Sequence, residues 1–214
     1  MVARFRKKHT FRVIAHRRNE ERIADRLPSV ADRTALDEIE AITNPRRRFP
    51  GSDSNDMVIA SFVYSGPSRF TDGSYGVYYA AFEQRTAIAE SAYHTARFLA
   101  YTNTEPTLVY KRVLSADIKG AYDDIRTTPP TDPIYDPDPE KYAAAQAYAS
   151  ALYAADVVDG IVYTSVRAAG GTCVVAFRPR LISGCTTAAF LAYSYDGARI
   201  DDMFAIESLT TEGM

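Results

Sequence analysis

The chain has 214 residues, 46% of them hydrophobic, and a formal net charge of −2 at pH 7. A chain of this size can bury a sizeable core, and its length suggests one domain with an appendage. No run approaches the roughly 18 apolar residues that span a bilayer, and the basic N-terminus lacks a continuous apolar stretch. We therefore expect an unexported, cytoplasmic protein without membrane attachment. Two cysteines, Cys173 and Cys185, are too few for a zinc cluster or a disulfide framework, and both are expected to be reduced.

The charge is distributed unevenly along the chain. Residues 1–56 contain 13 Lys and Arg against 9 Asp and Glu, whereas the remainder contains 12 against 18. The densest basic patch could bind nucleic acid, but a solvated tail is the more frequent explanation, and no DNA-binding motif accompanies it. This patch consists of Arg4, Arg6, Lys7 and Lys8. We predict a basic N-terminal extension, residues 1–56, that packs on a main domain of residues 57–214, with no nucleic-acid partner.

The first half of the chain predicts three strands and two helices. Helical spacing of apolar residues predicts a helix over residues 29–42, which ends before Asn44 and Pro45. Apolar residues at helical spacing predict a second helix over residues 86–101. The strands are predicted from apolar runs and alternation, with glycine turns between the last two. They comprise residues 11–14, 58–64 and 76–81.

The second half predicts further strands around one helix and one irregular segment. Residues 107–114 form a strand, and the five prolines in residues 129–139 preclude regular structure. An alanine-rich helix follows over residues 140–155. Two short buried strands, residues 160–163 and 173–177, are joined by a turn at Gly170 and Gly171. Because strands and helices do not alternate regularly, the pattern favours an α+β fold.

The common nucleotide-binding signatures are missing from the sequence. There is no G-x-x-x-x-G-K-[ST] motif, and the glycines near Gly73 do not form G-x-G-x-x-G. If the chain binds a dinucleotide, it must use another geometry.

Residues 68–94 place an arginine, a glycine-rich turn, a tyrosine-ended strand and a carboxylate in one strand-to-helix unit. Arg69 could offer bidentate hydrogen bonds to phosphate, or form a surface ion pair. Glu90 could be a fixed carboxylate in a site, or an ordinary solvated helix residue. Only one of Tyr78 and Tyr79 can face a cleft, because successive strand residues point to opposite faces. The residues alone leave that choice open.

Two further side chains are candidates at the ends of elements. Ser165 follows a short strand, where its hydroxyl could reach a ligand or cap a turn. His94 lies one helical turn after Glu90. Two ligands do not make a metal site, so we interpret His94 as an orienting or structural residue and expect no metal.

The stretches SRFTDGSYGVYYAAFEQRTAIAESAYH and GIVYTSVRAAGGTCVVAF together resemble the RES domain, which is named for an arginine, a glutamate and a serine. Here these would be Arg69, Glu90 and Ser165. The resemblance covers roughly residues 11–196 and departs at Phe70 and Thr71, where Trp-Asn often follows the arginine. It implies an ADP-ribosyltransferase-like fold, with a central split β-sheet flanked by helices, in a RES catalytic domain. It also implies an enzyme that cleaves the nicotinamide–ribose bond of NAD as the toxin of a bacterial toxin–antitoxin pair.

The resemblance also implies roles for individual residues. Glu90 would stabilise the positive charge that develops on the ribose as nicotinamide leaves. Arg69 would bind the dinucleotide, and family spacing favours Tyr79 as the ring that stacks on nicotinamide while Tyr78 joins the core. Ser165 would contact the ribose or nicotinamide. Arg12 matches a family arginine on the first strand that contacts the dinucleotide.

The resemblance leaves the acceptor of the ADP-ribose open between water, phosphate and a protein side chain. One alternative is a protein ADP-ribosyltransferase that modifies a metabolic enzyme. Another, from a different class, is an inactive module that binds a nucleotide or the antitoxin. The expected partner is an Xre-like antitoxin, in an oligomeric complex, whose tail blocks the cleft near Arg69 and Arg167.

Overall fold

Seven strands and four α-helices make up the part of the chain that this computed structural model describes, residues 1–16, 29–43 and 56–207. Short 3-10 turns lie at Pro133–Tyr135, Pro139–Lys141 and Pro179–Leu181. In chain order the main elements are β1 Val2–Ala15, α1 Val30–Thr43, α2 Asp56–Val63, β2 Tyr78–Ala81, α3 Gln84–Tyr101, β3 Thr107–Asp124, α4 Ala143–Ala155, β4 Gly160–Thr164, β5 Thr172–Ala176, β6 Ile182–Tyr195 and β7 Ile200–Ile206. Within these residues, no helix is long and apolar enough to cross a membrane.

All seven strands belong to one mixed sheet, in the order β1-β2-β5-β4-β3-β6-β7. Strand β1 also pairs with β3, so the pairings β1–β2–β5–β4–β3–β1 close a ring of five strands. Strands β6 and β7 extend the sheet beyond β3. The β3–β4 pair is parallel, and the other pairs are antiparallel. The predicted α+β class is confirmed.

The alternation of β4 and β5 separates two parts of the core. Ile161, Tyr163 and Val175 point to the face that α4 covers, and Val162 and Val174 point to the opposite face, where Val58 of α2 packs. A third cluster lies between the sheet and α3; its fully or largely buried members are Val113, Leu191 and Tyr193. Helices therefore cover both faces of the sheet, and the short strands β4 and β5 are buried on both sides.

The predicted strand at residues 58–64 is wrong, because this stretch forms helix α2. Neighbouring residues Val58 and Ile59 are both buried, at 0% and 4% exposure. A helix with protein on both sides can bury two successive side chains, whereas a half-exposed strand alternates. A short apolar run of this length fits either period, so spacing alone could not decide between them.

Strand β1 is longer than predicted and contains the basic patch that was interpreted as a solvated tail. That interpretation is wrong for these residues, because β1 pairs with β3 along most of its length. Lys7 forms an ion pair with Asp117 of β3 at 3.2 Å. The backbone of β1 is hydrogen-bonded to β3 in a long antiparallel ladder. The charged sequence of β1 lacks the apolar alternation from which such a strand is predicted.

Candidate functional site

A cleft of about 850 Å³ lies between α3, the second half of β1, strand β2 and the proline-rich segment that follows β3, residues 129–142. The α3 residues that line it recur every three or four positions, which is the spacing of one helical face. They are Ala87, Glu90, Ser91, His94, Thr95, Arg97, Phe98 and Leu99. This periodicity brings Glu90 and His94 into the same cleft, one turn apart.

The Glu90 carboxylate is held from the sheet side of the cleft. Its Oε1 accepts a hydrogen bond from Ser165 Oγ at 2.6 Å and lies 3.8 Å from Cys173 Sγ. Its Oε2 lies 4.0 Å from His94 Nε2. The side chain is 23% exposed. The carboxylate is therefore fixed in orientation while remaining accessible from the cleft.

Ser165 lies behind Glu90 and is not one of the residues that line the cleft. Its Oγ accepts hydrogen bonds from the backbone N–H groups of Arg167 and Ala168, at 3.1 and 2.9 Å, while donating to Glu90. The hydroxyl thus caps the turn after β4 and positions the carboxylate at the same time. The predicted contact between Ser165 and ribose or nicotinamide stays a prediction.

Arg69 is 7% exposed and lines the cleft from the turn before β2. Its guanidinium donates to the Ile134 carbonyl at 2.8 Å and to the Tyr142 hydroxyl at 3.3 Å, and it lies 4.4 Å from the centre of the Tyr142 ring. Gln146 of α4 donates to the Ser68 carbonyl beside it. Arg69 therefore ties the turn to the proline-rich segment, and no carboxylate of the described chain forms an ion pair with it.

The two adjacent tyrosines of β2 point to opposite sides of the sheet. Tyr79 lines the cleft, and its hydroxyl is hydrogen-bonded to Ser68 Oγ at 2.9 Å and to the Phe70 N–H at 2.8 Å. Burial raises the pKa of Tyr79 to about 12, so the phenol is neutral. Tyr78 is fully buried in the cluster beneath α2, and its hydroxyl has no hydrogen-bond partner among the described residues.

Arg12 reaches the cleft from β1 and lies alongside the strand that carries both tyrosines. Its Nη1 donates to the Tyr79 carbonyl at 3.1 Å, and its guanidinium lies 4.9 Å from the centre of the Tyr78 ring. Arg12 lines both the main cleft and a smaller pocket beside Ser61 and Thr71. Burial lowers the pKa of Arg12. The structure thus brings Arg12, Arg69, Tyr79 and Glu90 to one cleft.

Sequence reasoning missed Arg97 and Lys111 as residues that line this cleft. Arg97 pairs with Glu140 at 2.6 Å, which joins α3 to the proline-rich segment. Arg167, which the sequence analysis expected near the antitoxin tail, is not one of the residues that line the cleft. It stacks on Tyr93 with its guanidinium carbon 3.4 Å from the ring centre, and donates to the Pro137 carbonyl. The seven-residue spacing from Glu90 to Arg97 could have indicated a shared helical face. No local signal could have indicated the contacts that come from residues 134–142.

The cleft also contains Cys173 and Lys111, whose charged forms are both disfavoured by burial. Burial raises the pKa of the Cys173 thiol and, next in size, the Glu90 charge acts in the same direction, so the thiol is protonated. Burial lowers the pKa of Lys111. Among the described residues, no group of three or more His, Cys, Asp and Glu is placed to hold a metal ion.

The fold and the cleft define an α+β protein in which a carboxylate held by a serine shares a cleft with the buried Arg69 and the partly buried Arg12. A family model for the RES domain matches residues 45–196, which is more than two thirds of the chain and includes Arg69, Glu90 and Ser165. The chain belongs to the RES domain family, which is associated with NAD-related toxins of toxin–antitoxin systems. It is also similar to the uncharacterised protein y4oC of Sinorhizobium fredii (strain NBRC 101917 / NGR234), with 25% identity over 191 residues that cover 83% of this chain and 79% of y4oC.

Proposed function

We propose that this protein is the toxin of a toxin–antitoxin pair and that it breaks the nicotinamide–ribose bond of NAD by hydrolysis or phosphorolysis. The observation that carries the proposal is the Glu90 carboxylate, fixed at 2.6 Å by Ser165 in a cleft that Arg69 also lines. This arrangement occurs within the segment that matches the RES domain.

The chemistry of the bond explains why a fixed carboxylate is useful. As the bond breaks, its electron pair moves to the nicotinamide nitrogen, nicotinamide leaves as a neutral molecule, and positive charge builds on the ribose. A carboxylate stabilises this charge more in the transition state than in the ground state. Because Ser165 already holds Glu90 in place, little reorganisation is needed at the moment of reaction.

The cations of the cleft are suited to the diphosphate of NAD. Arg69 and Lys111 line the cleft without a carboxylate partner in the described part of the chain, whereas Arg97 is paired with Glu140. Guanidinium and ammonium groups are the usual partners of phosphate oxygens. The cleft volume of about 850 Å³ falls within the range of pockets that bind small molecules and cofactors.

The test is nicotinamide release from NAD by the purified protein, with phosphate and cell lysate added in separate arms. Free ADP-ribose would indicate water as the acceptor, a phosphorylated ADP-ribose would indicate phosphate, and label on protein would indicate a protein ADP-ribosyltransferase. Glu90→Gln should abolish most of the release. Glu105→Gln, the same change at an exposed position outside the cleft, is the matched control and should behave as wild type. Absence of release in every arm would favour an inactive binding module.

The toxin proposal also requires a partner that blocks the cleft. We propose an Xre-like antitoxin with an acidic or carboxylate-ended segment that binds near Arg69 and Arg167, because cationic walls attract such a segment. Expression of the protein alone should deplete NAD and stop growth, and co-expression with the antitoxin should restore both. Harmless expression with intact NAD would contradict the toxin function.

A further inference from the structure

The two oxygens of the Glu90 carboxylate have different surroundings. Oε1 is engaged by the Ser165 hydroxyl at 2.6 Å and approached by the Cys173 thiol. Oε2 is directed to His94, whose Nε2 lies 4.0 Å away. This separation is too long for a hydrogen bond. An oxygen atom could sit at about 2.8 Å from both Oε2 and Nε2, a normal hydrogen-bond distance.

His94 belongs to the cleft and remains accessible from it. Its side chain is 52% exposed, it lines the cleft, and its ring packs edge-on against Tyr93 with 5.2 Å between ring centres. Burial lowers the pKa of His94, the positive charges of Arg167, Arg97 and Arg69 act in the same direction, and the Glu90 charge opposes them. The imidazole is therefore neutral at pH 7, and one of its nitrogens is free to accept a proton.

We propose that His94 is the general base of the reaction and receives the proton of the acceptor oxygen held between its ring and Glu90. The inference rests on the proposed NAD cleavage and adds the residue that completes it. In the hydrolytic case, the C1′–N bond breaks with its electron pair on nicotinamide. The water oxygen then bonds to C1′, and its proton passes to His94 and on to solvent. Glu90 thereby stabilises the ribose as nicotinamide departs, and His94 deprotonates the water that attacks it.

The two halves of the reaction can be separated by nicotinamide exchange. Labelled nicotinamide that re-enters the cleft can attack C1′ and re-form labelled NAD without losing a proton, so exchange needs no base. Hydrolysis needs one. We expect His94→Gln and His94→Ala to lower hydrolysis by about a hundredfold, the lower end for loss of a general base, and to lower exchange much less. The ratio of exchange to hydrolysis should rise at least tenfold by this reasoning. Added imidazole should restore hydrolysis in His94→Ala.

His9→Gln is the matched control, because His9 is an exposed histidine of β1 outside the cleft. It should leave both rates and their ratio unchanged. Thermal melts show whether each variant is folded, and His94→Gln, which retains a side chain of similar length, provides a second variant if His94→Ala is unstable. An unchanged ratio in a folded variant, with no rescue by imidazole, would overturn the role of His94. A wild-type protein that neither exchanges nicotinamide nor releases it from NAD, in water or in phosphate, would overturn the proposed function itself.

Discussion

Two regions of the cleft are built in opposite ways: the floor, which consists of Glu90 and the Ser165 turn beneath it, and the wall, which consists of the proline-rich segment and the arginines that contact it. In the floor, regular elements hold a charged side chain: Glu90 of α3 is fixed by Ser165, at the end of β4. In the wall, charged side chains hold an irregular segment: Arg69 and Arg167 donate to the carbonyls of Ile134 and Pro137. Glu90 is positioned by its neighbours, so its charge can be removed with little effect on the fold. Arg69 and Arg167 position the segment around them, so their removal should also disturb that segment. Substitutions in the two regions should therefore have different consequences.

The largest effect is expected at the floor. Glu90→Gln keeps the size of the side chain and removes its charge, so nicotinamide release should slow by on the order of 10²–10⁴ while NAD binding is retained. Single-turnover release and a calorimetric NAD titration measure the two quantities separately. Wild-type turnover in this variant would remove the carboxylate from the mechanism.

Substitutions of the two β2 tyrosines test whether one side chain faces the cleft and its neighbour faces the core. Tyr79→Ala should strongly reduce NAD consumption, because its ring lines the cleft. Tyr78→Ala should chiefly lower the free energy of unfolding, by about 2–4 kcal/mol, because the ring is fully buried. Thermal or denaturant unfolding and nicotinamide release on both variants provide the comparison, and reversed outcomes would contradict the orientation of the strand.

Substitution by phenylalanine sharpens the same contrast. Tyr79→Phe removes the acceptor of the Phe70 N–H and should cost about 1–3 kcal/mol of stability if that group is left unsatisfied. Tyr78→Phe should leave the stability unchanged or raise it, because the hydroxyl it removes has no partner in the described residues. Urea unfolding curves for the two variants test this, and equal losses would contradict it.

A smaller but broader effect is expected at the wall. Arg69→Ala should weaken NAD binding by roughly ten- to a hundredfold, in line with about 1.5–3 kcal/mol for hydrogen bonds to a charged group. It should also speed amide hydrogen exchange in residues 129–142, because two anchors of that segment are lost. Arg69→Lys, which keeps the charge but not the planar group, should restore binding only in part. Normal NAD binding together with unchanged amide hydrogen exchange in this variant would show that Arg69 neither binds NAD nor anchors the proline-rich segment.

The smallest effects separate the two groups that approach Glu90 Oε1. Ser165→Ala removes a hydrogen bond of 2.6 Å and should slow nicotinamide release by about tenfold, which corresponds to roughly 1.4 kcal/mol in the barrier. Cys173→Ala removes a weak contact at 3.8 Å and should change the rate by about twofold at most. The rates of nicotinamide release by the two variants show which group orients the carboxylate. A larger loss for Cys173→Ala would show that the thiol, and not the hydroxyl, orients the carboxylate.

The elements with a strong local signal were predicted from the sequence. Helix α3 was expected over residues 86–101 and begins two residues earlier, at Gln84, because a long apolar face at helical spacing is a reliable pattern. Strands β4 and β5 were predicted because both are short, continuous apolar runs separated by glycines. Strands β6 and β7 were not predicted. Most side chains of β6 and β7 are exposed or partly exposed, so the apolar pattern of a buried strand is absent.

The motif could be found from the sequence, because Arg69, Tyr79 and Glu90 lie within one strand-to-helix unit and their spacing depends on no distant segment. The contacts of these residues, in contrast, depend on the fold. Ser165 reaches Glu90 across 75 positions because α3 packs next to the turn where β4 and β5 meet, and Tyr142 reaches Arg69 across 73 because the proline-rich segment folds back over the cleft. Local spacing encodes helices, turns and the faces of strands. The order of strands in the sheet, and hence the partners of each charge, depends on packing between segments distant along the chain.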